Sequence, residues 1–231
     1  MKFPITEIHE IELSSECNLA CVYCPYPTME RAKAPMDWDT FQLTMNHVAY
    51  YVQKGTQGEV SLTGIGEAML HPQFVDAMFL VRSVIGARKM IISTNGIGLT
   101  REMAVHLRHA QVQVYVSLHR PEVASKALNN LYLEGCMFSY NKNFVDSSMN
   151  WAGQVKWHVS AGAHECQYLE KGWAVVRQNG SVDMCCMDAL DAHPIGHVRD
   201  EPGTLLAQVT PLCAACHLVV PQKYYQEQVA A

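Results

Sequence analysis

Residues 14–27, SSECNLACVYCPYP, place Cys17, Cys21 and Cys24 within eight residues, directly after a segment, EIHEIEL (7–13), that reads as a β-strand. In parallel α/β sheets and barrels, a loop at the C-terminal end of a strand is where chemistry collects. Three thiolates are one short of the four that a structural zinc ion or a fully ligated cubane takes. On a 4Fe-4S cube they leave one iron without a protein ligand and open to an exogenous chelate. Two other readings are open to the same residues: a zinc site completed by a histidine such as His9, or three buried, unliganded thiols.

The 231-residue chain is about half apolar, enough for one large domain or one domain with a small appendix. It contains no run of about 18 uncharged apolar residues, and MKFPITEIHE has no signal-peptide core, so the expected location is the cytosol with no membrane partner. Seven of the nine cysteines fall into two groups, at 17, 21, 24 and at 185, 186, 213, 216. In a reducing compartment such grouping points to metal rather than to disulfides. A net charge of −5 disfavours wrapping a long nucleic acid and leaves a short or flipped-out nucleotide open.

Outward from the cysteine loop, strand-like and helix-like segments alternate. DWDTFQLTMNHVAYYVQKG puts Phe41, Met45, Val48 and Val52 on one helical face, with Asp37 as N-cap and Gly55 as stop. Strand 59–64 precedes a helix opened by Pro72; strand 89–94 precedes a helix after Thr100; strand 112–118 precedes a helix over 121–135. Further strands are expected near 136–141 and 154–159. Near-continuous apolar strands alternating with helices imply an α/β fold, an incomplete (β/α) barrel with parallel strands over residues 1–160. A small C-terminal unit of hairpin and helix is expected over 161–231.

Three more segments stand at expected strand ends: LTGIGEAMLHP (62–72), ISTNG (92–96) and VSLHRP (116–121). With the Cys-x3-Cys-x2-Cys loop and Tyr23 before its last cysteine, they resemble the signature of the radical S-adenosylmethionine (SAM) enzymes. The resemblance implies a 4Fe-4S cluster on Cys17, Cys21 and Cys24 whose open iron binds the amino and carboxylate groups of SAM. It implies close backbone approach at Gly64 and Gly66, and a hydrogen bond from the SAM ammonium to Glu67. Tyr23, Ser93, Asn95, Ser117 and His119 are then SAM-lining residues, and Arg120 the partner of the SAM carboxylate. Ile65 and Ala68 depart from the family's usual wording.

CQYLEKGWAVVRQNGSVDMCC (166–186) and LCAACH (212–217) resemble the shortened SPASM domain called twitch. That likeness implies a second, auxiliary 4Fe-4S cluster on Cys166, Cys185, Cys213 and Cys216, with Cys186 spare. The adjacent pair leaves Cys185 and Cys186 exchangeable, and the spacing alone also matches a zinc ribbon.

Over roughly residues 8–220 the chain is similar to the radical SAM dehydrogenases of aminocyclitol antibiotic biosynthesis, the 2-deoxy-scyllo-inosamine dehydrogenases. The similarity implies that an external one-electron donor such as flavodoxin or ferredoxin supports SAM cleavage. The resulting 5'-deoxyadenosyl radical takes hydrogen from a small substrate, and the auxiliary cluster accepts or conducts an electron. Glu12, Tyr140, Asn141, His158 and Tyr168 are the candidate catalytic and substrate residues, each with a structural role as the alternative. Cys136 and Cys186 are candidate proton or hydrogen donors, or else inert buried thiols. A second likeness is to phage-encoded radical SAM isomerases that rework an amino acid attached to thymidine. A basic strip at the barrel mouth, from Arg88, Lys89, Arg120, Lys126 and Lys142, would point to such a nucleotide-linked or DNA substrate. The non-enzymatic alternative is a zinc-stabilised binding module.

Overall fold

The structure, a computed structural model, describes residues 2–141, 151, 152, 154 and 166–216. Its strands and helices run β1 (Lys2–Pro4), β2 (Glu7–Ile11), α1 (Trp38–Lys54), β3 (Glu59–Leu62), α2 (Phe74–Ile85), β4 (Lys89–Thr94), α3 (Arg101–His109), β5 (Val112–Ser117), α4 (Pro121–Leu133) and β6 (Met137–Asn141). They continue with α5 (Gln167–Lys171), β7 (Trp173–Val176), β8 (Ser181–Asp183), β9 (Gly196–His197) and β10 (Leu206–Gln208).

One sheet carries the order β6-β5-β4-β3-β2-β7-β8-β9. From β6 to β7 every neighbouring pair is parallel, and β8 and β9 add antiparallel strands. The expected α/β fold with a parallel, open barrel sheet is therefore present. Asp37 caps α1, its Oδ1 accepting from Thr40 N at 2.9 Å, and Gly55 ends the helix in the left-handed region at φ 75°. Phe41, Met45 and Val48 are buried along that helix. α2 begins at Phe74 rather than at Pro72, because His71 Nδ1 accepts from Gln73 N at 3.0 Å and holds a turn through the proline.

The strands alternate more than their composition suggests. Met90, Ile92, Val112, Val114 and Val116 are buried, together with Phe74, Met78, Leu107, Ala124 and Leu131 of the helices. Each large apolar side chain so buried contributes about 1.5–3 kcal/mol. The other face carries Ser93, Tyr115 and Ser139, register partners across β4, β5 and β6. That inner face lines a cavity rather than a closed core, so polar side chains stand there without weakening the helix-covered side.

The C-terminal hairpin is joined to the same sheet. β7 pairs with β2, Glu7 with Trp173 and Ile11 with Val176, with a register shift between Ile8 and Glu10. Asn179-Gly180 makes the β7–β8 turn, Gly180 having φ 86°. The expected boundary at 160/161 lies outside the described residues. So does the strand expected at 154–159 from residue 155 onward, and Gln154 itself is in a turn. Among the described residues no helix is long and apolar enough to cross a membrane.

Candidate active site

The C-terminal ends of the parallel strands surround a cavity of about 530 Å³, a size ordinary for a small-molecule or cofactor site. Cys17, Cys21, Tyr23 and Cys24 line it from the loop after β2. Gly64, Gly66 and Glu67 reach it from the turn after β3, Ser93 and Asn95 from the end of β4, Ser117 and His119 from the end of β5, and Tyr140 from β6. Four separate strand ends thus deliver to one space all but one of the residues assigned to the cluster and SAM.

The cysteine loop is held from several sides. Ser15 Oγ donates to Ala32 O at 2.8 Å, and Glu67 N donates to Glu16 O at 2.7 Å. Asn95 Nδ2 donates to Asn18 Oδ1 at 2.7 Å, the Tyr23 hydroxyl meets His119 Nδ1, and Trp151 Nε1 donates to Tyr23 O at 3.1 Å. Gly66 is required by packing, since a Cβ there would run into the carbonyl oxygens of Ser14 and Glu16. Glu67 is buried; its carboxylate accepts from Asn95 N at 2.8 Å and Met69 N at 3.4 Å, and burial still leaves its pKa raised. Those amides leave further lone pairs on both oxygens for a ligand ammonium.

The donor set fits an iron-sulfur cube. Burial raises the Cys17 thiol and pushes Cys24 up to about 11, so the thiolates that ligation needs are favoured only when a cation is present. Among the described residues no three His, Cys, Asp or Glu side chains converge on a single point as a mononuclear ion requires. A cubane takes each thiolate on a different iron and requires no such point. His9, the candidate fourth zinc ligand, does not line the cavity: it stacks on Trp173 at 3.6 Å and contacts Glu7 at 3.2 Å.

Other candidates are placed differently from the sequence reading. Glu12 is fully buried and does not line the cavity; its Oε1 accepts from Arg31 Nη2 at 2.7 Å and Ile65 N at 3.2 Å. It is a strut, and Gly64 is glycine because a Cβ would meet the Glu12 side chain. Arg120 is also outside the cavity lining; its half-exposed guanidinium pairs with Glu122 at 3.0 Å. Tyr168 lies behind the cavity wall with its hydroxyl donating to Glu10 Oε1, so it orients a carboxylate rather than touching a ligand. Tyr140 lines the rim and is exposed. Cys136 is remote, its Sγ donating to Ala104 O at 3.2 Å. His158 lies outside the described residues.

Glu10 and Arg177 line the cavity and were not singled out from sequence. Burial raises the Glu10 carboxyl above its usual range despite the Tyr168 hydrogen bond and the charges of His9 and Arg177. Arg177 is 1% exposed, with Nε donating to Asp183 Oδ2 at 2.5 Å and Nη2 to Asp188 O at 2.7 Å. The acids in EIHEIEL were visible; that Arg31 and Ile65 N take up Glu12 and leave Glu10 to line the cavity has no sequence signature.

A second, small pocket gathers Cys166, Cys185, Cys213 and Cys216, with Leu169, Met184 and Thr210 among its walls. Cys186 is not among them and lines the large cavity instead. The adjacent cysteines therefore line different pockets while their thiols stay within hydrogen-bonding reach of each other.

The sequence model of the radical SAM superfamily matches residues 11–142, more than half of the chain. The chain belongs to the radical SAM superfamily. Membership implies a 4Fe-4S cluster and SAM, and the matched stretch contains Cys17, Cys21 and Cys24 but not the second cysteine group. The cofactor-modifying protein of tungsten-containing aldehyde ferredoxin oxidoreductase from Pyrococcus furiosus is 34% identical over 110 residues, 47% of this chain and 29% of that protein. Molybdenum cofactor biosynthesis protein 1 of Bos taurus is 33% identical over 91 residues, 39% of this chain and 14% of that protein. The chain thus matches less than a third of the length of these radical SAM relatives. Among solved structures, BtrN in complex with AdoMet and 2-DOIA superposes with a TM-score of 0.67 at 21% identity, over 86% of this chain and 80% of BtrN. anSMEcpe with bound AdoMet superposes at 0.63 and 16% identity, over 84% and 78%. At such identities the likeness is one of fold, and the activity of this radical SAM chain has to be argued from its site.

Proposed function

We propose that this chain holds a 4Fe-4S cluster on Cys17, Cys21 and Cys24, binds SAM against the loops after β3, β4 and β5, and removes a hydrogen atom from a small polar substrate in the same cavity. The observation that carries this reading is the convergence of the three thiols with the segments at the ends of β3, β4 and β5 on one space. When bound together, the cluster and SAM supply a 5'-deoxyadenosyl radical able to attack an unactivated C–H bond. The chain's own residues do the rest. Gly66 permits close backbone approach, and the Ser93 and Ser117 side chains face the ligand space. Trp151 and Cys24 pack against Met29, Ile65 and Ala189, an apolar cluster at one side of the cysteine loop.

The pole formed by Glu10 and Arg177 suits the substrate. Burial raises the Glu10 carboxyl above its ordinary range, which makes it a stronger base than a solvated carboxylate, and loss of hydrogen from an alcohol or amine carbon requires such a proton acceptor. Cys166, Cys185, Cys213 and Cys216 would hold a second cluster, whose chemistry there is one-electron transfer, with an external reductant such as flavodoxin or ferredoxin as partner. Net dehydrogenation follows if the substrate's electron leaves; a redox-neutral isomerisation follows if the carbon recovers a hydrogen atom, a reading favoured by the Cys186 thiol in the cavity. A small substrate is supported over DNA because Arg88 directly precedes β4 and Lys89 begins it, at the end opposite the cavity. Arg88 donates to Gln57 O at 2.7 Å and Lys89 pairs with Glu59 at 3.4 Å.

The test is iron and sulfide content with electron paramagnetic resonance on anaerobically reconstituted protein, wild type against Cys17→Ala/Cys21→Ala/Cys24→Ala. About eight irons falling to about four is the expected result. Zinc in the second pocket, or complete loss of iron from the triple variant, removes the second cluster and with it the dehydrogenase outcome.

A further inference from the structure

Arg88 and Lys89, read from sequence as part of a basic strip at the barrel mouth, lie at the other end of the sheet, where the chemistry of the active site gives them no role. There they line a separate cavity of about 420 Å³ together with Arg82 and Arg108, a volume ordinary for a small-molecule site. Its walls come from the connections that lead from α2 into β4, from α3 into β5 and from α4 into β6. It shares no lining residue with the cavity at the C-terminal strand ends.

The four cations are short of counter-charge. Arg82, on the last turn of α2, is folded against backbone: Nε donates to Ala110 O at 2.7 Å, Nη1 to the carbonyls of Gly86 and Arg88, and Nη2 to Gln111 O at 3.0 Å. Arg88 donates from Nε to Gln57 O and from Nη1 to Ile85 O, and its Nη2 has no partner among the described residues. Arg108, on the last turn of α3, meets only the His109 ring, Nη2 to Nε2 at 3.2 Å. Carbonyls satisfy N–H groups without cancelling a net charge. Among the described residues no carboxylate forms an ion pair with these three arginines, and Lys89 pairs with Glu59 at 3.4 Å. Burial lowers the Arg82 pKa with no anion opposing it. The C-terminal ends of α2, α3 and α4 each add roughly half a negative charge. With Glu59 they leave roughly one and a half positive charges uncompensated. Beside these cations, the buried side chains of Met90 and Val112 and the exposed one of Met137 supply an apolar wall.

We propose that this cavity is a second binding site, for a phosphate monoester with a compact apolar body, held by Arg88, Lys89 and Arg108. A phosphate monoester carries about 1.5 to 2 negative charges near neutrality, which matches the uncompensated charge better than a single carboxylate does. Its oxygens suit the forked donors of a guanidinium, and the apolar body lies against Met90, Val112 and Met137. Binding there requires neither the cluster nor SAM, so this site and the reading of the first cavity stand or fall separately.

Calorimetric titration of reconstituted holoprotein, with SAM present to fill the first cavity, tests it. The probes are phenyl phosphate, inorganic phosphate and an oligothymidylate. Phenyl phosphate is expected to bind wild type more tightly than inorganic phosphate. Lys89→Gln/Arg108→Gln, which removes two exposed charges and leaves the backbone contacts of Arg82 and Arg88 in place, is expected to weaken phenyl phosphate at least about tenfold. Its iron content, 5'-deoxyadenosine release and urea midpoint should stay at wild-type values. Unchanged phenyl phosphate affinity in the double variant, or no binding to wild type at millimolar concentration, overturns the proposal. Oligothymidylate that binds more tightly than phenyl phosphate and displaces it overturns the small-molecule assignment and gives the face to a nucleic-acid backbone.

Discussion

Glu12 and Arg31 show how much a side chain's contacts depend on residues far from it in sequence. The Glu12 carboxylate takes Arg31 Nη2 and Ile65 N, while Arg31 Nη1 donates to Gln178 Oε1 and Nε to Ala189 O, each at 3.0 Å. The pair thereby ties the first strand and the cysteine loop to the C-terminal hairpin. Arg31→Ala removes the direct ion-pair partner of a buried carboxylate, leaving it only Ile65 N and the more distant Arg177 charge, and is expected to cost about 3 kcal/mol in urea denaturation. Arg120 gives the opposite expectation. Its pairing with Glu122 is on the surface, so Arg120→Ala should leave SAM affinity within about twofold by calorimetry and stability within about 0.5 kcal/mol. Weakened SAM binding in that variant would return Arg120 to the role inferred from sequence.

The element that matters most is the turn after β3. Its glycines are there for contact rather than for unusual backbone angles: Gly64 lies against the Glu12 side chain, and Gly66 against the carbonyls of Ser14 and Glu16. Gly66→Ala must push the cysteine loop away from β3. The expected outcome is a loss of about 1–3 kcal/mol together with reduced iron loading at the first site, while the second group of cysteines keeps its metal. Helix boundaries were readable because they obey local chemistry, as the Asp37 and Thr100 caps and the Gly55 stop do. The start of α2 was not, because the His71 side chain competes for the Gln73 amide.

For the whole molecule, the buried acids of the cavity make stability depend on pH. Burial raises Glu10, so the folded chain keeps this proton to higher pH than the unfolded chain. Its contribution to stability is complete below the unfolded carboxylate value of about 4.3 and is lost as pH rises through the folded value. Wild type should therefore lose stability relative to Glu10→Gln as pH rises above the unfolded carboxylate value of about 4.3, measured as the difference between the two proteins' urea transitions at each pH. A difference that does not change with pH would mean that Glu10 is not raised. The sheet has the same global character: β7 completes it by pairing with β2, so the hairpin that bears Cys185 and Cys186 is fastened to the strand that bears Glu10.

The candidate site residues and their order along the chain were set by sequence alone. Three thiols after β2, a glycine turn with Glu67, Ser93 with Asn95, and Ser117 with His119 follow from a periodic βα pattern, because each strand end is a local feature. Tertiary structure decided which side chains meet. Glu10 lines the cavity while Glu12, on the same side of the strand, is taken up by Arg31 and Ile65 N, and after β8 the neighbouring Cys185 and Cys186 line two different pockets. Neither outcome is written in residue identity, because a side chain's face depends on strand register and on the partners packed against it.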